Sequence, residues 1–212
     1  MRKPRGFVVG LTGGIGTGKS TALAEFERLC AATVSLDQLA REQAKPGREG
    51  WRAIVRAFGR GALAADGTID RRALGARVFR DAAARRRLER ATHPPILREM
   101  ERLVGRLKGV VVVDVPLLFE KGLQKRFDAT VLVACPPAEQ VRRVVRRDKF
   151  TAAEARRRIA AQWPLPRKRA LADFTLDNDR SRKALSAEVR ALHAGLSLLY
   201  GGTPNGNADQ DA

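Results

Sequence analysis

The first apolar run, "FVVGL" (Phe7 to Leu11), is too short for a helix and leads straight into a glycine-rich loop, so it reads as a short buried strand. "KSTALAEFERL" (Lys19 to Leu29) then spaces its apolar residues as an amphipathic helix does, and "ATVS" (Ala32 to Ser35) reads as a second short strand. From Gln38 to Lys108 the pattern is mostly helical, punctuated by the turn "AADGTID" and by "THPP" at Thr92 to Pro95. The unbroken valines of "GVVVVDVP" (Gly109 to Pro116) predict a strand buried on both faces, and "ATVLVAC" (Ala129 to Cys135) predicts another. Pro136 and Pro137 suit the first turn of a helix, and "TAAE" (Thr151 to Glu154) is a capping box opening the next. "DFTLDN" (Asp173 to Asn178) reads as a strand and turn, "SRKALSAEVRALHAGLSLL" as the last helix, and "GGTPNGNADQDA" (201–212) as a disordered tail. No internal repeat is visible.

Strands alternating with helices predict an α/β fold: a parallel sheet with helices on both faces. Ligands of such sheets bind outside the carboxyl ends of the strands. The glycine loop, Asp37, Asp114 and the Cys135–Pro137 turn all fall at such ends, which predicts one site.

Composition narrows the setting. The chain has 212 residues, 44% of them hydrophobic, enough for one sizeable core with inserted subdomains. Its apolar runs are far short of a membrane span. The basic start "MRKPRGFVVG" has too short an apolar part for a signal peptide, so a cytoplasmic protein is expected. Cys30 and Cys135 have no metal-ligand spacing and read as two buried or partly buried thiols. The net charge of +18 attracts polyanions: nucleic acid, acidic membranes or multiply phosphorylated small molecules. Charge alone does not choose among them, and runs such as "DAAARRRLERA" also fit a solvated arginine-rich face.

The loop chooses. Gly13, Gly14, Ile15, Gly16, Thr17, Gly18, Lys19 and Ser20 match GxxxxGKS/T, with Thr21 following. Glycines let the backbone curl so that N–H groups surround phosphate oxygens, and the helix beginning near Lys19 aims its positive end at the same anion. Lys19 reaches terminal phosphates, and the Ser20 hydroxyl suits a Mg²⁺ shell. Asp114, ending a valine run, stands where a Mg²⁺-associated carboxylate is expected. Asp37, just past the second strand, is a candidate acceptor for a proton from an attacking hydroxyl. Arg143 and Arg147 are four apart on one helix face; two such cations repel unless an anion lies between them, which suits a lid that closes on transferring phosphate.

Taken together, the loop "LTGGIGTGKST", then "LDQLAR", "DGTIDRRALGARVFRD", "THPPI", "DVPLLFE", the pattern Q-x-x-R-x-x-x-R-D in "QVRRVVRRD", and "ADFTLDN" resemble the dephospho-coenzyme A kinases over about residues 6 to 199. The loop is common to many kinases; the combination of "THPPI", "VPLLFE" and "ADFTLDN" is specific. The resemblance implies a P-loop NTPase-type core (about 6–37, 108–136 and 170–199), a helical acceptor-binding insertion (about 38–107) and a small lid (about 137–169) within one domain of residues 1–200. It implies ATP and Mg²⁺, with dephospho-coenzyme A phosphorylated on its ribose 3′-hydroxyl to give coenzyme A and ADP. It also implies roles: Asp37 as catalytic base, Gly16 to Thr21 on the ATP phosphates, Arg143 and Arg147 in the lid, and Asn178 near the adenine. His93, Arg41, Asp37 and Asp114 would face the acceptor. Its implied partners are small molecules, with no nucleic acid or membrane, for a monomer or small homo-oligomer. The family pattern D-A-D-x-x-A-R is here Ser35-Leu36-Asp37-Gln38-Leu39-Ala40-Arg41, so a hydroxyl stands at the first carboxylate and the second is kept.

Two other readings remain open at this point. One is a different small-molecule kinase with the same loop. The other is a nucleic-acid-dependent ATPase or GTP switch, which the charge invites. Against it, no N-K-x-D motif and no D-x-x-G after a strand is found, and aromatics at 5% leave few stacking platforms. Trp51 and Trp163 read as packing residues.

Overall fold

The computed structural model describes residues 6–200. The expectations for the basic start of the chain and for the 201–212 tail lie outside the described residues. A five-stranded sheet has the order β2–β3–β1–β4–β5, with β1 (Phe7–Gly13), β2 (Ala32–Ser35), β3 (Val110–Asp114), β4 (Ala129–Ala134) and β5 (Phe174–Asp177). The pairs β1–β3, β1–β4 and β4–β5 are parallel. The helices are α1 (Lys19–Arg28), α2 (Leu36–Gln43), α3 (Glu49–Phe58), α4 (Arg71–Arg80), α5 (Ala82–Val104), α6 (Pro137–Asp148), α7 (Ala152–Ala160), α8 (Leu165–Arg169) and α9 (Arg182–Leu199).

Valine-rich strands form because both sheet faces are covered. On one face Val9, Leu11, Val112, Val131 and Val133 pack with Phe26 of α1 and with Leu185, Val189 and Leu196 of α9. Burying one such side chain contributes about 1.5–3 kcal/mol. On the other face Gly10 is a glycine for a packing reason: a Cβ there would lie 2.6 Å from Leu118 and 2.7 Å from Phe127. Two carboxylates fasten the central strands. Asp128 accepts the Val8 N–H at 2.8 Å, and Asp173, ahead of β5, accepts the Thr130 N–H at 2.8 Å and its hydroxyl at 2.6 Å.

β1 runs two residues beyond Leu11. It lies between β3 and β4, and Thr12 and Gly13 still pair with Leu132 and Val133 after β3 has ended opposite Leu11. The loop therefore leaves from the deep end of the central strand.

The described chain divides into two compact units, residues 35–105 and the remainder. The 35–105 unit is helical, with Ile54, Ala62, Ile69 and Leu74 at its centre and Trp51 packed against them. Asp66 folds the "AADGTID" turn by accepting the N–H and hydroxyl of Thr68. Asp70 and Asp81 cap α4 and α5. "THPP" does not interrupt this unit: Pro94 and Pro95 lie inside α5. Each proline removes one i→i−4 donor, a cost that ordinarily ends a helix. Here the helix is held along its length by packing against α2, α3 and α4, and the Thr92 hydroxyl bonds the Leu88 carbonyl at 2.9 Å just before the prolines.

The two cysteines also part from expectation. Cys135 is buried, but Cys30 is exposed. It occupies a left-handed conformation (φ 58°) where the chain turns out of α1, a place that faces solvent and is usually taken by glycine.

Candidate active site

The loop after β1 is shaped by where its carbonyls go. The Gly14 oxygen accepts from the Thr17 hydroxyl at 2.9 Å and the Thr17 N–H at 3.2 Å. The Ile15 oxygen accepts from Gln140 Nε2 at 2.8 Å, and the Gly16 oxygen takes a weak contact from the Cys135 thiol at 3.8 Å. The Thr17 oxygen accepts from Asn178 Nδ2 at 2.8 Å and from the Arg143 guanidinium at 3.3 Å. Four successive carbonyls are thus drawn back into the protein. None of these bonds uses the N–H groups of Gly16, Gly18, Lys19 or Ser20, and the first N–H groups of α1 have no partner inside the helix. That is the arrangement of an anion-binding nest at a helix N-terminus.

The glycines follow from the same packing. Gly16 (φ 78°) and Gly18 (φ 92°) need backbone conformations that side chains resist. A Cβ on Gly16 would lie 2.8 Å from the Gln140 carbonyl, and one on Gly18 would collide with Asn178 Nδ2.

A cavity of about 570 Å³ opens in front of the loop, lined by its residues together with Pro116, Arg143, Arg146, Arg147 and Gln162. Lys19 is ion-paired with Asp114 at the end of β3. A larger cavity of about 1070 Å³ lies at the carboxyl ends of β4 and β5; Gln140 lines it, and Gln162 lines both.

The arginines of α6 do not face each other as bare cations. Glu139, one turn before Arg143, accepts from Arg143 at 2.6 Å and from Arg142 at 2.8 Å, and these bonds hold its carboxyl down at about 2. Arg143 also reaches the Asn178 carbonyl at 3.0 Å, so it is built into the floor of the loop. Arg147 pairs with Asp148, and its side chain is 65% exposed. The repulsion expected from their spacing is relieved by a separate carboxylate for each. The Glu139–Arg143 pair was readable in advance from its i,i+4 spacing. Arg146, Gln140 and Gln162 had no such mark.

Three of the remaining expected site residues, Asp37, Arg41 and Ser20, are exposed. Asp37 is exposed in the first turn of α2, directly after edge strand β2. Ser35 is the N-cap of that helix, its hydroxyl accepting the Gln38 N–H at 3.3 Å, so the residue at the family's first carboxylate position has a capping task. Arg41 is exposed on α2, and His93 is half-buried within α5. Ser20 is exposed at the start of α1. Among the described residues no group of three or more His, Cys, Asp and Glu could hold a metal ion. One carboxylate and one hydroxyl, Asp114 and Ser20, do fit Mg²⁺, which keeps several waters and takes its remaining oxygens from phosphates.

Comparison with known proteins identifies a family. The family profile described as dephospho-CoA kinase matches residues 7–184. A dephospho-CoA kinase of Anaeromyxobacter dehalogenans is 45% identical over 193 residues, covering 89% of this chain and 92% of its own. Among solved structures, TT1252 from Thermus thermophilus superposes with a TM-score of 0.78 at 36% identity, covering 91% of this chain and 99% of that one. A dephospho-CoA kinase from Campylobacter jejuni gives 0.66 at 26% identity, covering 90% and 97%. Likeness of this extent, in sequence as well as in backbone, goes beyond a shared fold, and the chain belongs to the dephospho-CoA kinase family.

Proposed function

We propose that the protein transfers the γ-phosphate of ATP to the ribose 3′-hydroxyl of dephospho-coenzyme A, giving coenzyme A and ADP, in the cytoplasm. The observation that carries the reading is the loop itself: its carbonyls are tied back, so its N–H groups and the Lys19 ammonium serve a polyphosphate in a cavity walled by three arginines. Membership of the family selects the acceptor.

In this reading Gly16 to Thr21 bind the β- and γ-phosphates, and Lys19 exchanges its Asp114 partner for them. Asp114 and Ser20 would hold Mg²⁺, which would neutralise phosphate charge when bound. Asn178 and Arg143 fix the floor of the loop on the side from which the adenine enters. The acceptor oxygen attacks the γ-phosphorus, the bond to the β,γ-bridging oxygen breaks, and the hydroxyl proton passes to the Asp37 carboxylate. Exposed Arg147 leaves Asp148 to swing onto the transferring group and stabilise its charge. Arg41 and His93 contribute to acceptor binding. The protein's contribution is positioning and charge neutralisation, with no covalent intermediate.

The test is direct. Purified protein with Mg-ATP is given dephospho-coenzyme A, shikimate, gluconate and a nucleoside panel, and ADP and product are followed. Coenzyme A formation at least a hundredfold above any other acceptor is expected; a better acceptor in the panel would overturn the reading.

A further inference from the structure

Ile15 is held by both of its peptide groups. Its N–H donates to Gln162 Oε1 at 2.9 Å, and its carbonyl accepts from Gln140 Nε2 at 2.8 Å. Two glutamine side chains from different elements, α6 and the α7–α8 connection, therefore grip one residue of the phosphate loop from opposite sides. Gln140 is 3% exposed, and the loop is cut to fit it: a Cβ on Gly14 would lie 2.7 Å from its Nε2.

The segment carrying Gln162 is itself anchored. The N–H of the next residue, Trp163, donates to Glu120 Oε1 at 3.1 Å. Glu120 pairs at 2.7 Å with Lys168, whose side chain is fully buried. Arg167 lies 3.5 Å over the Trp163 ring. A buried ion pair is a poor source of stability, because desolvation offsets most of its attraction. Glu120 Oε2 is moreover buried with no hydrogen-bond partner among the described residues. What the pair does supply is an anchor on both sides of the turn: Glu120 holds the Trp163 N–H next to Gln162 and the Lys168 ammonium six residues beyond Gln162.

We propose that Gln140 and Gln162 are positioning residues: together they hold the Ile15 peptide so that the following N–H groups are preset for phosphate, with the Glu120–Lys168 pair anchoring Gln162. The inference rests on the loop binding the phosphates of ATP, not on the identity of the acceptor. Presetting matters because donors already aimed at an anion need no reorganisation when it arrives.

The two hydrogen bonds run in opposite directions, and this gives a test that loss of packing does not mimic. A carboxylate at 162 still accepts the Ile15 N–H, whereas a carboxylate at 140 sets an oxygen against the Ile15 carbonyl. Both substitutions bring the same charge to the same residue. Mg-ATP affinity is measured by calorimetry on wild type, Gln162→Glu, Gln162→Leu and Gln140→Glu, with melting temperature recorded for each. Gln140→Glu and Gln162→Leu are expected to lose at least ten times more affinity than Gln162→Glu. If Gln140→Glu does not fold, Gln140→Met, which keeps the shape without the donor, is held to the same tenfold margin. Equal losses in Gln140→Glu and Gln162→Glu, or no loss in either, overturn the proposal. Coenzyme A formation by wild type, assayed separately, tells failure of the kinase reading from failure of this one.

Discussion

The Asn178 side-chain amide donates to the Thr17 carbonyl at 2.8 Å and occupies the space that a side chain at Gly18 would need. One residue from the turn after β5 thus both holds the loop and dictates a glycine within it. Gly18→Ala is expected to destabilise twice over, through the collision and through the left-handed backbone (φ 92°). Asn178→Ala relieves only the collision, while leaving the Thr17 carbonyl to Arg143 alone, a loss of about 1–3 kcal/mol. The double variant is therefore expected to be more stable than the sum of the two single losses. Thermal melts of the four proteins measure this coupling, and strict additivity would show that the two residues do not meet.

Asp37 is expected to act on the rate and not on nucleotide binding. It is exposed in the first turn of α2, and its carboxylate is not engaged in capping, since Ser35 does that. Asp37→Asn keeps the shape and removes the proton acceptor. Turnover should fall at least a hundredfold, within the range assigned to general-base catalysis. Mg-ATP affinity should stay within about threefold. Steady-state kinetics beside calorimetry separates these, and a variant with normal turnover would remove Asp37 as the base.

The Lys19–Asp114 pair makes an opposite prediction for its two members. Lys19→Met removes the cation meant for the phosphates and should weaken Mg-ATP binding by about tenfold or more, the scale of a charge-assisted hydrogen bond of about 1.5–3 kcal/mol. Asp114→Asn leaves Lys19 free for phosphate but weakens the carboxylate side of the Mg²⁺ shell. It should raise the Mg²⁺ concentration needed for half-maximal turnover by about tenfold. Both side chains retain some solvent, 18% and 16%, so neither substitution should unfold the chain. A Mg²⁺ titration that superposes on wild type for Asp114→Asn would deny it that role.

What could be read from the sequence was whatever local spacing encodes. The glycine spacing of the loop, the valine run into Asp114 and the capping box at Thr151 are each complete within a few residues, and the structure has all three. Contacts made by residues far apart in the chain were not readable. Gln140 and Gln162 meet Ile15 across 125 and 147 positions, and neither glutamine differs in pattern from one on a solvated surface. Asp173 was visible inside "ADFTLDN", but only pairing of β5 with β4 shows that it fastens Thr130. Pro94 and Pro95 depart from the local rule for a related reason. Local preference says that a helix stops before proline, and packing against three neighbouring helices overrode it. Exposure of Cys30 likewise follows from how α1 ends, not from its apolar neighbours.

Two titrations should separate on the acid side of neutrality. Burial lowers the pKa of His193, which stacks edge-on against Phe26 at 6.3 Å. The unfolded chain then binds a proton more readily than the folded one just below pH 6.5, so stability falls as pH drops through that region. Glu139 works in a lower window. Its two arginine partners, Arg142 and Arg143, hold its folded pKa down at about 2, below the ordinary glutamate value of 4.5, so the folded state binds fewer protons there. The stabilisation from its arginines is complete above about pH 4.5 and is lost as pH falls through about 2. Melting temperatures from pH 8 to 3 are expected to show both declines. His193→Phe should flatten the decline between pH 7 and 5 and leave the lower one. Glu139→Gln should melt below wild type at pH 6, with the gap closing toward pH 3. A gap that stays constant over that range would mean that the Glu139 carboxylate is not linked to folding. Arg143 would then keep its place on Thr17 and Asn178 without it.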